Sequence, residues 1–382
     1  MSTRSAVLLA IAACLAHGWG IARAPSTKLA PFVVVGPGPA SVREGPAYFW
    51  MEWVAAGTIV GPVHGPSLCQ LADGSLLAAW QEGAAGTSRA GIYTARRGAG
   101  KDAPWGDGRR MVSAGSALRE TRRYAAAVGD PVLYAGGDKR VWLLFSSTGP
   151  AGSSINLQTS SDGARTWGPA RRLRLSPLLN ADLRCSNRPV GLLQGGFVVP
   201  LEQALCGPVP QLLWVHTGDD GEAVTVRMER LPGNGFTQPA LVALLGQTAV
   251  ALWRDTTDRR RLGRARTDDG GSTWSGAAPI GVANSSSRID ALMLSDGRLL
   301  LVHNGNPQTL QDLHLSLSTD AGESWAPVAV LEDEEGERYS DPCLLQDREG
   351  RIHLLYVFNE RRIRHVMLNE AWIQDKLLEA GS

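Results

Sequence analysis

The sequence lacks an excess of charge of either sign, and it lacks the common metal and nucleotide motifs. Lysine and arginine together number 38 and aspartate and glutamate 37, so the net charge of +1 gives no general attraction to nucleic acid or anionic membranes. No HExxH motif, no Cys–His cluster, no glycine-rich phosphate loop and no GxSxG elbow occurs. We therefore predict no metal, no other cofactor and no nucleic-acid partner.

Long apolar runs are missing as well, apart from one short run near the start. Ala6–Ala16 is about eleven residues long, well below the roughly 20 that a membrane-spanning helix needs. It follows Arg4 and precedes the small-residue pattern Ala22–Ala24, as in a secretory signal peptide. We therefore predict a signal peptide over residues 1–24, a secreted or lumenal protein and no membrane anchor. Because no acidic residue precedes Glu44, an organellar transit peptide is the alternative.

Cysteine is scarce, and its number suits an oxidising compartment. Cleavage of the signal peptide removes Cys14 and leaves an even set of four, Cys69, Cys185, Cys206 and Cys343. Cys185 and Cys206 bracket a predicted hairpin and form the best candidate disulfide. Four buried thiols are the alternative.

Glycine and proline, by contrast, are abundant and form a repeat. The 44 glycines and 22 prolines are spread along the chain, which favours short strands and tight turns over long helices. Six segments share one plan of apolar strand, polar or glycine turn and second apolar strand. They begin at Pro66, Pro131, Pro189, Pro239, Ile289 and Pro342. Intervals of 50 to 65 residues fit four short strands each, so the sequence predicts an all-β fold, a six-bladed β-propeller.

A second motif, Ser/Thr-x-Asp-x-Gly-x-Thr/Ser-Trp, lies in the other half of several repeats. Its three full copies occupy residues 160–167, 267–274 and 318–325. The carboxylate can accept backbone N–H bonds, the glycine permits positive φ, and the tryptophan can pack between sheets. We therefore interpret Asp162, Asp269 and Asp320 as residues that fix hairpins and not as catalytic acids.

With these Asp-boxes, the chain resembles the sialidases and their neuraminidase-like bacterial relatives. The resemblance covers roughly residues 60–370 and includes His64–Ser67, Gln238–Pro239 and Ile289–Leu292. It implies a sialidase-like propeller over residues 61–375, with the segment 25–60 able to join the closing blade. It also implies a glycan or glycoconjugate partner. The implied activity is exo-glycosidase hydrolysis of terminal sialic acid or another acidic sugar, and the alternative is a catalytically inactive carbohydrate-binding propeller. The oligomeric state is not determined by the sequence.

The resemblance also implies catalytic residues. Sialidases use a tyrosine nucleophile with a glutamate base and an aspartate acid/base. Tyr339, in the segment Tyr-Ser-Asp, resembles the nucleophile, with Glu202 or Asp341 in proton transfer. In the neuraminidase-like branch the tyrosine often follows the serine, which would give that place to Asp341. The loop after Trp80, where the acid/base is expected, contains no aspartate and only Glu82 as an acid.

Binding of an acidic sugar calls for arginines, because their planar forks hold carboxylates. The sequence offers Arg188, Arg254 and Arg288, while His64 stands in place of the usual first arginine. The stretch 303–310 lacks another expected arginine. The predicted substrate-binding residues are His64, Asn187, Arg188, Arg254, Arg288 and Asn304. Asn284 begins a glycosylation sequon near the same place.

Overall fold

The fold is known from a computed structural model, which describes residues 32–34, 45–136, 139–150, 152–175, 182–204, 207–218, 223–233 and 235–381. The predicted signal peptide over residues 1–24 lies outside these ranges. The described chain forms six antiparallel sheets arranged around one axis. The prediction of an all-β, six-bladed propeller is therefore confirmed.

The six sheets follow one another along the chain, and only the last takes a strand from the N-terminal side. The first strand, β1 (Phe49–Trp53), belongs to the sixth blade. Blade 1 contains β2 (Val63–Gln70), β3 (Leu76–Glu82), β4 (Gly91–Arg97) and β5 (Arg109–Ser113). Blade 2 contains β6 (Ala127–Ala135), β7 (Val141–Gly149), β8 (Gly152–Ser160) and β9 (Arg171–Arg172). Blade 3 contains β10 (Leu183–Cys185), β11 (Val190–Gly191), β12 (Phe197–Gln203), β13 (Val209–Thr217) and β14 (Ala223–Arg230).

The second half of the ring repeats the same plan. Blade 4 contains β15 (Phe236–Ala243), β16 (Ala249–Asp255), β17 (Arg261–Thr267) and β18 (Ala278–Ala283). Blade 5 contains β19 (Asp290–Met293), β20 (Leu299–His303), β21 (Asp312–Ser318) and β22 (Ala326–Asp333). Blade 6 contains β23 (Tyr339–Gln346), β24 (Ile352–Phe358), β25 (Arg362–Leu368) and β1. Two helices flank these sheets, α1 (Ala114–Thr121) and α2 (Glu370–Gly381).

Strand β1 closes the ring, because it pairs antiparallel with β25 along its whole length. Asn369, just after β25, reinforces this closure by accepting from the amide of Tyr48 and donating to the carbonyl of Pro46. A blade built from both ends of a chain hides sheet edges that would otherwise be free to pair elsewhere.

The core consists of apolar layers between neighbouring blades. Strand β16 shows why, since its residues are buried on both faces, as expected of a strand covered by a blade on each side. Trp80, Trp214 and Trp253 are among the largest fully buried side chains and fill these layers. The outer strand β18, in contrast, is exposed or half-buried throughout.

The Asp-boxes form the predicted hairpin turns. Asp162 accepts hydrogen bonds from the amide and hydroxyl of Thr166 at 2.9 and 2.6 Å. Asp269 accepts the same two bonds from Thr273 at 2.8 and 2.7 Å. These bonds hold the pKa values of both carboxyls below their usual range. Asp320 makes the same contacts with Ser324. The carboxylates are used within the turns, as expected of residues that fix hairpins.

The described cysteines are free thiols. Cys69, Cys185 and Cys343 are all buried, and burial raises their pKa values. Cys206, the predicted disulfide partner of Cys185, lies outside the described residues. For these three cysteines the structure agrees with the alternative of buried thiols.

Candidate functional site

Four of the six innermost strands begin with the same backbone feature. Gly65, Asp130, Gln238 and Asp341 have φ values of 54°, 49°, 50° and 51°, and each precedes a proline. In all four strands the pairing register skips at this point. Proline has no N–H to donate, and the skipped ladder position requires none. A left-handed conformation at a non-glycine residue stores of order 1 kcal/mol or more of strain, which is typical of functional sites.

The starts of the innermost strands surround one end of the propeller axis, where the structure has a cavity of about 610 Å³. We call this opening the mouth. Its lining includes Gln238, Arg254, Ser285–Arg288, Gln308–Gln311, Gly336–Arg338, Ser340 and Asp341. The lining is dominated by polar side chains, and arginine supplies its positive charge.

Arg288 lies over the glycine that begins the first blade. Its Nε is 3.6 Å from Oδ1 of Asp341, while Oδ2 of the same carboxylate accepts from the amide of Gly65 at 3.0 Å. A Cβ atom at Gly65 would lie 3.3 Å from Nη1 of Arg288, so any side chain there would crowd the guanidinium. Gly65 therefore has two roles: it adopts a positive φ, and it leaves room for Arg288.

Arg254, at the end of β16, is the second arginine of the mouth. It donates from Nη1 to the carbonyl of Ser286 at 2.6 Å. Burial lowers the pKa of Arg254, and the carboxylates of Glu202 and Asp341 oppose this effect. Glu202 itself accepts a hydrogen bond from the hydroxyl of Thr237. The mouth therefore holds two arginines and the carboxylate of Asp341, and the charge of Glu202 also acts on Arg254.

Both mouth arginines keep a donor unused. The Nε atoms of Arg254 and Arg288 are buried and have no hydrogen-bond partner among the described residues. Buried donors are nearly always satisfied in folded proteins, so two unsatisfied guanidinium donors at one cavity suggest a missing acceptor. Carboxylates are the natural acceptors for such forks.

Arg188, predicted to bind substrate, joins blade 3 to blade 5 beside the axis. It donates from Nη2 to the carbonyl of Ala291 at 2.7 Å, and its Nε is 3.6 Å from Oδ1 of Asp290. Asp290 is buried and accepts from the amide of Leu344 at 2.7 Å. Burial raises the pKa of Asp290, and the charge of Arg188 opposes this rise. Arg188 does not line the mouth, and its Nη2 is already bonded within blade 5, although its Nε has no hydrogen-bond partner among the described residues.

Two asparagines predicted to bind substrate are also internal. Asn187 is buried and donates to the carbonyls of Gln238 and Pro239 at 3.3 and 3.0 Å. Asn304 has no exposed surface and donates to the carbonyls of Asp312 and Tyr339. Each amide joins one blade to its neighbour or to a loop, so neither is presented to a ligand. Neither asparagine lines the mouth, so the prediction that they bind substrate there is corrected.

Tyr339, the predicted nucleophile, does not reach the mouth. It is 0% exposed and packs within blade 6 against Tyr356 and Phe358, with ring centroids 6.1 and 5.6 Å away. Burial, followed by the negative charges of Glu332 and its acidic neighbours, raises the pKa of Tyr339 well above the ordinary value. A strand alternates its side chains between faces, and Tyr339 takes the interior face. The expectation that Tyr339 stands in the pocket is therefore corrected.

Replacing Tyr339 with phenylalanine should leave ligand binding and any turnover unchanged, because the ring is enclosed. Its hydroxyl has no hydrogen-bond partner among the described residues, so stability should also change little. Tyr356→Phe is the matched comparison, since the Tyr356 hydroxyl donates to Glu332. Loss of a bond to a charged group should cost about 1.5–3 kcal/mol. Urea unfolding of both variants tests this, and a drop in binding or turnover for Tyr339→Phe alone would return Tyr339 to the site.

The remaining predicted residues border the mouth or lie near it. His64 is half-buried next to Gly65. Asp130 was missed by the sequence reasoning, although Asp130-Pro131 repeats the Asp341-Pro342 pair at the start of another innermost strand. Its Oδ2 accepts from the hydroxyl of Ser146 at 2.6 Å. That repeated Asp-Pro pair was the signal that could have identified it.

Two further sequence features are occupied by structural contacts. Glu82 is buried and accepts from the amide of Val60 and the indole of Trp80. Asn284 is 1% exposed, and its amide group donates to the hydroxyl of Ser287 and accepts from the amide of the same residue. A folded chain with this geometry has no room for a glycan on Asn284.

Within the described ranges, no group of three or more histidine, cysteine or acidic side chains is placed to hold a metal ion. The described helices are also too short or too polar to cross a membrane.

Comparison with known proteins gives one family and many structural neighbours. A family model described as BNR repeat-like domain matches residues 74–354. No curated protein matches the sequence. A Hadza microbial sialidase has a TM-score of 0.65 at 17% identity, and the match covers 80% of this chain and 65% of that chain, less than two thirds of its length.

Two other solved structures match over nearly their whole length. An intramolecular trans-sialidase from Ruminococcus gnavus, in complex with oseltamivir carboxylate, has a TM-score of 0.65 at 13% identity, covering 88% of this chain and 99% of that chain. An alpha-L-arabinanase from Penicillium chrysogenum, complexed with arabinobiose, has a TM-score of 0.54 at 14% identity, with coverage of 90% and 99%. At these identities the likeness concerns the fold.

Proposed function

The chain belongs to the BNR repeat-like family, and from that premise we propose that its mouth binds an acidic sugar at the end of a glycan. Arg254 and Arg288 hold the carboxylate of the sugar in this proposal. The sialidase and the trans-sialidase among the structural neighbours support a glycan as the ligand class. A secreted or lumenal location, reached through the signal peptide of residues 1–24, would bring the mouth to glycoconjugates.

One observation carries the proposal most directly. The buried Nε donors of Arg254 and Arg288 lack partners, while their side chains line the same cavity of about 610 Å³. A ligand carboxylate would accept hydrogen bonds from both guanidinium groups. The cavity is large enough for a sugar residue, since ligand sites usually span about 300–1,000 Å³.

Hydrolysis of the bound sugar is the second candidate, and the carboxylates of the mouth favour it. Asp341 lines the mouth beside Arg288, and the charge of Glu202 acts on Arg254. Glycoside hydrolysis generally needs two acidic side chains, one as acid and one as base or nucleophile. Because Tyr339 is enclosed, a carboxylate such as Asp341 would take the part that sialidases give to tyrosine.

Titration calorimetry on the purified mature chain separates these possibilities. Methyl glycosides of sialic acid and of glucuronic acid serve as acidic ligands, with methyl galactoside as the neutral control. We expect saturable binding of at least one acidic glycoside, weakened by added salt, and none of the neutral one. Equal binding of the neutral sugar, or no binding of either acid, would contradict the proposal. Release of the fluorophore from a fluorogenic sialoside or glucuronide would show that the protein also hydrolyses the sugar it binds. Binding without release would support a mouth that binds the sugar but does not hydrolyse it.

A further inference from the structure

A chain of polar side chains crosses the buried contact between the last and first blades. The Asp347 carboxylate lies 3.1 Å from Nε2 of His353. Nδ1 of His353 lies 3.0 Å from Nε2 of His365. Both imidazoles are almost completely buried, at 1% and 0% exposure. These side chains include none of the residues that line the mouth.

Nδ1 of His365 faces two groups with opposite requirements. The indole Nε1 of Trp105, in the loop after β4, donates to it at 3.1 Å. Oε1 of Glu52, on the closing strand β1, lies 2.9 Å from the same atom. An indole N–H can only donate, and an ionised carboxylate can only accept. Nδ1 therefore satisfies Trp105 when it is unprotonated and Glu52 when it is protonated.

The other end of the chain fixes the tautomers. Asp347 accepts from Nε and from the amide of Arg351 and is thus held as a carboxylate, so it requires a proton on Nε2 of His353. In a neutral His353 the lone pair then lies on Nδ1 and accepts from Nε2–H of His365. A neutral His365 consequently has its lone pair on Nδ1, directed at Trp105. With both imidazoles neutral, every link from Asp347 to Trp105 has one proton.

We propose that Nδ1 of His365 is a proton-binding site that switches its partner from Trp105 to Glu52 when the pH falls. Proton uptake removes the acceptor of the Trp105 indole and frees the loop after β4 from blade 6. The same proton joins His365 to Glu52 as an ion pair and fastens strand β1 more tightly. Acid therefore replaces the contact between His365 and Trp105 with the contact between His365 and Glu52, and both lie in the buried contact between blades 6 and 1.

The charges around His365 set the pH range of this exchange. Burial lowers the pKa of His365 to about 4, and the carboxylate of Glu52 opposes this effect. Arg97, on β4, donates to Glu52 at 2.7 Å and adds a positive charge that disfavours protonation. A protonated His353, on β24, would add a further positive charge that disfavours protonation of His365. Asp347 is bonded to His353, and Arg351 is bonded to Asp347. The neutral arrangement thus prevails at neutral pH.

Nitrogen NMR of the full mature chain, labelled with ¹⁵N-histidine and ¹⁵N-tryptophan, tests the switch. His365 and Trp105 are assigned by loss of signal in His365→Asn and Trp105→Phe. We expect an unprotonated Nδ1 at pH 7, and its protonation below pH 5 together with loss of the Trp105 hydrogen bond. Trp105→Phe should raise the midpoint, because it removes the partner of the neutral form. Glu52→Gln should lower it, because it removes the partner of the charged form.

Matched substitutions away from the contact between blades 6 and 1 provide the controls. Trp325→Phe and Glu379→Gln change the same residue types and should leave the His365 midpoint within about 0.2 pH units of the native value. A protonated Nδ1 of His365 at pH 7 would overturn the proposal. So would a His365 midpoint that moves in the same direction in Trp105→Phe and in Glu52→Gln. If the chain unfolds in acid, the tautomers at pH 7 in the two variants still decide, because the proposal requires the neutral Nε2–H form of His365.

Discussion

Replacing Arg288 with methionine is expected to weaken the binding of an acidic sugar by roughly 100-fold, or about 3 kcal/mol. Methionine keeps the length and apolar stem of the side chain but removes the guanidinium. The unused Nε donor of Arg288 is then no longer available to the ligand carboxylate, and Asp341 loses the positive charge 3.6 Å away. The remaining negative charge of Asp341 would repel an acidic ligand. Arg254→Met should have a similar effect, since its Nε is likewise buried and unpaired.

The comparison variant is Arg261→Met, on an exposed position of β17 outside the mouth. Its affinity should stay within about two-fold of the native value, because an exposed arginine contributes little. Calorimetric titration with the acidic glycoside measures all three variants, and circular dichroism shows whether each is folded. An Arg288→Met protein that binds as well as Arg261→Met would remove Arg288 from the proposed site.

Replacing Asp290 with alanine is expected to destabilise the fold by about 3–4 kcal/mol. The change leaves the amide of Leu344 without its acceptor and Arg188 without its nearest carboxylate, both beside the axis. Breaking one partner of a buried charged pair is costly because the other stays desolvated. Asp290 of blade 5 contacts Arg188 of blade 3 and Leu344 of blade 6, so its loss affects the packing of the inner strands and not one hairpin alone.

Asp290→Asn is the matched control, since the amide keeps the shape and one acceptor oxygen while it removes the charge. We expect about half the loss of stability, measured as the free energy of unfolding in urea. Arg188→Met and the double variant complete a thermodynamic cycle, and a coupling below about 0.5 kcal/mol would show that the two side chains act independently. If Asp290→Ala lowers the free energy of unfolding by less than about 1 kcal/mol, the contacts of Asp290 with Arg188 and Leu344 do not stabilise the propeller.

The propeller could be predicted because its cause is local and repeated. Each blade contains a hairpin of two apolar strands joined by a polar or glycine turn, and that plan recurs six times from Pro66 to Pro342. The Asp-boxes could be predicted for the same reason, since Asp162 bonds only to residues within four positions of itself. Short sequence separations leave a readable pattern.

The site could be predicted only in part. Arg254 and Arg288 were expected from their places at strand ends, and the structure brings them to one cavity. Tyr339 was expected at the same end, but a side chain at a strand start can point to either face, and here it points inward. Asn304 was also expected at this end, but it is buried, because it donates to the carbonyls of Asp312 and Tyr339, which come from different strands.

The sequence by itself determined the number of blades, the hairpin turns and the end of the axis at which polar residues collect. Only the tertiary structure decided which of those residues stay available to a ligand. Arg188 and Arg288 look alike along the chain, yet Nη2 of Arg188 is bonded to the carbonyl of Ala291 in blade 5, while Arg288 lines the mouth. The difference arises because blades distant in sequence meet at the axis, and their contacts follow from packing around the ring.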